Sequence, residues 1–166
     1  YAEPLFPKLT NEQIPNLGWA HDSFSKDLAK EPACPKSSYI NYPKKKEPGI
    51  IRVGVFGCSF TEGIESGCEY DYPSHLQKRL LDEGYSNVDV INFGVGSDGI
   101  NQSYLLYQYL GKEYDLDIVI VNPYFLHLGR DTRFCHGRNY MGVHARYVIE
   151  DGLKLIPVIG TSRLNA

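Results

Sequence analysis

The chain has 166 residues, a hydrophobic share of 42% and a formal net charge of −3, enough to enclose one core and typical of a soluble globular domain. Its acidity is spread rather than blocked, and its one basic run, Lys44–Lys46, sits among prolines, so nucleic acid is excluded as an expected partner, because phosphate binding needs clustered Lys and Arg. No apolar stretch approaches the roughly 20 residues of a membrane-spanning helix, and Cys34, Cys58, Cys68 and Cys135 have neither C-x-x-C nor Cys/His spacing, so no membrane span, no metal and no cofactor is expected.

Residues 1–49 hold seven of the ten prolines and little hydrophobic periodicity. Residues 1–50 therefore read as an arm that packs on a core built by 51–166, with Trp19 and the Tyr39–Tyr42 stretch as aromatic anchors. The first residue, Tyr1, is not Met, which points to a processed or trimmed start. The compartment stays open, with an extracytoplasmic or secreted one favoured over the cytoplasm.

Ile51-Arg52-Val53-Gly54-Val55-Phe56, bounded by Pro48-Gly49 and Gly57, reads as the first strand. Tyr72 to Leu81 follows as a helix, with Tyr72, Leu76, Leu80 and Leu81 on its buried face and a close near Gly84. Val88 to Phe93 is a second strand. Gln102 to Leu110 is a second helix with tyrosines and leucines turned inward, and Asp117 to Val121 a third strand. Leu128 to Val143 has no clear period and reads as loop. Arg146 to Pro157 carries Asp151-Gly152 between two β-prone runs, a hairpin signal. Alternating strands and helices predict an α/β fold with a parallel sheet, in which ligands bind at the C-terminal ends of the strands. The loops after Phe56, Phe93 and Val121 lie on that edge.

Gly57-Cys58-Ser59-Phe60-Thr61-Glu62-Gly63 sets a serine on the turn leaving the first strand, where its hydroxyl can project and backbone N–H groups can meet a developing oxyanion. A structural serine satisfying the turn is the competing reading. After the second strand comes Asn92-Phe93-Gly94-Val95-Gly96-Ser97. His127 has an imidazole suited to donating to an oxyanion or binding a carbonyl; a buried, hydrogen-bonded histidine is the alternative. Arg130 and Arg133, three residues apart, could hold a substrate carboxylate or phosphate by bidentate contacts, or lie in surface ion pairs.

Together these blocks resemble the SGNH hydrolase superfamily, whose first block is Gly-Asp-Ser followed by a small or aromatic residue and Gly, and whose second is Asn-x-Gly-x-x-Gly. Cys58 stands in place of the family's Asp, and the second block is one residue shorter. The resemblance covers about residues 51–127. It implies a three-layer α/β/α sandwich with a flavodoxin-like parallel sheet, apparently incomplete at the C-terminus. It also implies Ser59 as nucleophile and an oxyanion hole from the N–H groups of Ser59 and Gly96 plus a side-chain amide. That amide position falls near Leu126, with His127 in place of the block's Asp; Asn122, before Pro123, is the competing candidate, equally able to cap a turn. The family's closing Asp-x-x-His is not found before Ala166, since His136 and His144 lack an Asp three residues earlier, so a partial domain is expected. The implied activity is serine-dependent hydrolysis or transfer of a small acyl group, such as acetyl, on a carbohydrate or lipid ester. His127 and Arg130 are candidate substrate contacts. A non-catalytic ligand- or carbohydrate-binding module is the alternative, and a nucleotide binder a third reading, weakened by the lack of a phosphate-binding loop motif.

Overall fold

The computed structural model describes residues 39–63, 65–67, 70–96, 98–132, 146–149 and 152–156. The Trp19 anchor, most of the arm, Arg133, His136, His144 and the cysteines other than Cys58 lie outside them.

The elements run a 3-10 turn (Tyr39–Asn41), β1 (Ile51–Gly57), α1 (Ser59–Glu62), α2 (Tyr72–Asp82), β2 (Val88–Gly94), α3 (Ile100–Tyr109), a second 3-10 turn (Gly111–Tyr114), β3 (Ile118–Val121), α4 (Phe125–Thr132), β4 (Arg146–Ile149) and β5 (Leu153–Ile156). The fold is α/β. β1 to β3 form a parallel sheet in the order β2-β1-β3, with Val53 beside Val90 on one side and Ile118 on the other. β4 and β5 pair antiparallel from Arg146↔Ile156 to Ile149↔Leu153, as the Asp-Gly signal predicts, with Gly152 at φ +119. No helix among the described residues is long and apolar enough to cross a membrane.

The period-two alternation of the strands gives each sheet face its own core. Val53, Val55, Val88 and Val90 pack with Leu76 and Leu80 of α2. Phe56, Ile91 and Phe93 point the other way, onto Leu105 and Leu106 of α3. On that face Phe56 stacks on Phe93 at 4.5 Å, and Phe93 on Tyr39 at 5.3 Å. Each fully buried ring contributes about 1.5–3 kcal/mol, and Tyr39 brings the end of the arm into the core. α2 turns differently from the periodicity: Leu76 and Leu80 pack, but Tyr72 and Leu81 are exposed. The helix starts at its cap, Asp71, whose carboxylate accepts from Ser74 N–H at 2.9 Å, and this places Tyr72 at a cleft mouth instead of over the sheet. In α3, Tyr104 faces outward while Leu105 and Leu106 are buried.

α4 corrects the expectation of loop over residues 128–132; the rest of that stretch, 133–143, lies outside the described residues. Its apolar residues Phe125, Leu126 and Leu128 are exposed while His127 is buried, and it packs through His127, Arg130 and Asp131. These share the spacing of one helical face but are polar, so the hydrophobic pattern does not register the helix.

Arg52 is the other feature that an apolar strand pattern does not anticipate. It is buried, and its guanidinium donates to the carbonyls of Pro43 (2.7 Å), Lys44 (3.1 Å) and Tyr114 (3.0 Å) and to Asp89 (3.3 Å). Its backbone N–H donates to Asp117 at 2.7 Å. A buried guanidinium so fully bonded satisfies carbonyls that would otherwise be buried without partners, and it ties residues 43–44 to the N-terminal edge of the sheet, opposite the site below.

Candidate active site

The chain passes from β1 to β2 on one side and returns to β3 on the other. Strand order therefore reverses between β1 and β3, and the crevice outside the strand C-termini at such a reversal is where open α/β sheets bind ligands. Ser59 stands there. Gly57 ends β1, Cys58 is extended (φ −90, ψ −158), and Ser59 opens α1, a single turn closed by Gly63 at φ +81. Thr61 and Glu62 N–H donate to the Cys58 carbonyl at 2.9 and 3.0 Å, and Gly63 N–H to the Ser59 carbonyl at 2.9 Å.

Half-buried Ser59 lines an open cleft of about 600 Å³ together with Phe60, Glu65, Ser66, Tyr70, Tyr72 and His75. A second hollow of about 200 Å³, toward β3, is lined by Cys58, Phe60, Asn122, Pro123 and Tyr124. The exposed ring of Phe60 stands between them, edge-on to Tyr124 at 5.0 Å. His75 escapes the sequence reading of the site, although its place signals it: a helix that follows a parallel strand begins at the strand's C-terminal edge, so its first turn faces the ligand crevice.

Asn92 seats α1 on the sheet. Its amide donates to the Thr61 carbonyl at 2.8 Å and to Asp71 at 3.4 Å, while its oxygen accepts from Gly94 N–H at 2.8 Å. A strand interior otherwise made of apolar residues rarely carries Asn unless its side chain is bonded, and that was the available signal. Asn122 receives its place from β3: its N–H donates to the Phe56 carbonyl at 2.9 Å, and its side-chain amide reaches Thr61 Oγ1 at 3.4 Å. It thus turns toward α1 instead of capping the following turn. Leu126 is exposed on α4.

The loop after β2 lies against the loop after β1, with Val95 N–H donating to the Gly57 carbonyl at 2.9 Å. Gly96 is buried in it. Beyond it, Arg130 Nη1 donates to the Asp98 carbonyl at 2.9 Å, and the Asp131 carboxylate accepts from Ile100 N–H (3.2 Å) and Asn101 N–H (3.1 Å), capping α3. His127 is buried with Nδ1 accepting from Tyr124 N–H at 3.1 Å. The proton of the neutral ring is therefore on Nε2, which has no hydrogen-bond partner among the described residues. Burial, and then the Arg130 charge, lowers the His127 pKa against an opposing pull from Asp131, which keeps the ring neutral at physiological pH. Arg130 and His127, the candidate substrate contacts, thus each have an internal partner. No group of three or more His, Cys, Asp or Glu that could hold a metal occurs among the described residues.

Asp98 is buried with Oδ1 unpartnered. Burial pushes its pKa well above the usual carboxylate range, Glu62 and Asp131 raise it further, and Arg130 pulls it down. The folded protein therefore holds a proton that the unfolded chain releases near pH 4, so this group's contribution to stability falls as pH rises from about 4 through the raised folded value, by up to about 1.4 kcal/mol per pH unit. Asp98→Asn fixes the neutral form. Its thermal midpoint is expected to depend less on pH across that window and to exceed that of the wild type at neutral pH, as checked by paired thermal melts across the window.

Compared with known proteins, the chain matches no protein-family model and no curated protein sequence.

Proposed function

We propose that the chain carries a serine-dependent ester hydrolase or acyl-transfer fold of the SGNH type, a three-layer α/β/α sandwich acting on a small acyl ester of a carbohydrate or lipid. The observation that carries this reading is the position of Ser59, on the tight turn leaving the central strand, at the strand-order reversal and at the mouth of an open cleft. In this reading Ser59 Oγ bonds to the acyl carbon, the ester C–O bond breaks, and the serine proton passes through a general base to the departing alcohol. Water or a sugar hydroxyl then takes the acyl group from Ser59. The N–H groups of Ser59 and Gly96 and the Asn122 amide stabilise the oxyanion. The aromatic rings of Phe60, Tyr70 and Tyr72 suit the apolar face of a sugar or an acyl chain. His127 and Arg130 serve this site by holding α4 and the β2–α3 loop.

A non-catalytic binding module is the second reading, favoured by buried Cys58 where the family has Asp and by Leu126 turned to solvent at the expected amide position. Incubation with a fluorophosphonate, followed by intact mass and peptide mapping, separates the two. A single adduct on Ser59 is expected; folded protein that takes up no adduct would move the assignment to the binding module.

A further inference from the structure

We propose that the hollow of about 200 Å³ toward β3 is the subsite for the acyl group, and that Phe60 is the wall that divides it from the cleft and limits the acyl chain it accepts. This inference rests on the serine-ester reading and adds to it which side of Ser59 takes which half of the ester.

Among the described residues, Phe60 is the one that lines both spaces. Ser59 faces the cleft, while its neighbours in sequence, Cys58 and Phe60, border the hollow. The nucleophile therefore stands where the two spaces meet. A group that attacks the carbon between an acyl chain and an alcohol oxygen needs that position.

The linings differ in chemistry. The cleft offers Glu65, Ser66, His75 and the phenol groups of Tyr70 and Tyr72, which can bond the hydroxyls of a sugar while the rings meet its apolar face. The hollow is walled by Cys58, Phe60, Pro123 and the ring of Tyr124, with the Asn122 amide as its one side-chain carboxamide. Few polar groups among apolar walls suit an ester carbonyl with hydrocarbon attached, and they are too few for the several hydroxyls of a sugar. Size points the same way. At roughly 30 Å³ for a water-sized group, the hollow of about 200 Å³ holds about six such groups. That admits an acetyl or butyryl chain and excludes an octanoyl one.

The dividing wall is braced from β3's side. The Phe60 ring meets Tyr124 edge-on at 5.0 Å. Tyr124 is fixed in turn by buried His127: its N–H donates to Nδ1 at 3.1 Å, and its carbonyl accepts from the His127 N–H at 2.8 Å. The rest of the Phe60 ring projects into solvent, with 61% of the residue exposed, so truncating it leaves the core intact.

Phe60→Ala joins the hollow to the cleft. It is expected to raise kcat/KM for p-nitrophenyl octanoate relative to p-nitrophenyl acetate by at least about tenfold, from a wild type that favours acetate by about tenfold or more. Taking the ratio within each protein cancels any general change in Ser59 reactivity. Phe60→Leu, a smaller opening, should move the ratio in the same direction and carries the test if Phe60→Ala does not fold. Tyr72→Ala, which widens the cleft only, should change both esters alike and leave the ratio within about twofold. A wild type that prefers octanoate, an unmoved ratio in active Phe60 variants, or a ratio moved by Tyr72→Ala instead would each overturn the acyl assignment while leaving Ser59 as nucleophile. A folded wild type that turns over neither ester and takes up no fluorophosphonate would remove the serine-ester reading and this subsite with it.

Discussion

Replacing Ser59 with alanine is expected to lower ester turnover by at least about 10³-fold while changing unfolding free energy by no more than about 0.5 kcal/mol. The separation of the two effects follows from the position of the side chain. Ser59 is half-buried at the first position of α1, and the turn is closed by backbone bonds from Thr61, Glu62 and Gly63, with no bond from the Ser59 hydroxyl to the helix among the described residues. Alanine keeps those bonds and suits a helical turn, so the loss is confined to the nucleophile. Kinetics with p-nitrophenyl acetate and urea melts of both proteins check it. Full activity in the variant would assign the chemistry to another group, whereas a serine that merely satisfied its turn would show the reverse pattern, with stability lost and rate retained.

Gly94→Ala should be the most damaging change that leaves every polar group of the site intact. A methyl on Gly94 would lie 2.7 Å from the Thr61 carbonyl carbon, 2.9 Å from Glu62 Cα and closer still to Glu62 N. All three are backbone atoms of α1, unable to swing aside as the end of a side chain would. At Gly99 and Gly57 the nearest atoms are instead oxygens of Asp131 and Thr61 side chains. To admit the methyl, α1 must lift from β2, which breaks the 2.8 Å bond from Asn92 to the Thr61 carbonyl and tilts Ser59 out of the crevice. Overpacking of this kind costs about 1–3 kcal/mol, and the lost bond with its orphaned carbonyl adds roughly 1–3 kcal/mol. A urea midpoint lowered accordingly, with fluorophosphonate uptake slowed at least tenfold at a temperature where the variant is folded, is the expected pair of results. An unchanged labelling rate would show that the seat of α1 on β2 does not set the reactivity of Ser59.

Strands β1 and β2 were legible because burial on both faces favours β-branched and aromatic runs, which Val53 to Phe56 and Val88 to Phe93 largely supply, while β3 was legible from Ile118 to Val121 although most of it is exposed. The hairpin at Asp151-Gly152 was legible from turn chemistry. What pattern reading could not register was structure held by polar groups. Helix α4 packs through His127, Arg130 and Asp131, Asn92 works inside a strand, and Arg52 is buried where apolar residues are the rule. Each is a long-range partnership, and periodicity carries no information about partners distant in sequence. For the same reason Ser59, Gly96 and Asn122 could be assigned to the C-terminal edge of the sheet from local motifs, while the ties made there by Asn92 and Asp131 emerge only from the folded chain.

Cys58 follows from the same architecture. The residue is buried, with 2% of its surface accessible, and links the central strand to the turn bearing Ser59. Although Cys58 borders the hollow toward β3, this burial is expected to make alkylation slow until that turn opens. At saturating iodoacetamide the alkylation rate becomes the opening rate itself. The protein thus contains a clock for the breathing of its own candidate nucleophile, readable without a substrate, and occupancy of the crevice should slow it.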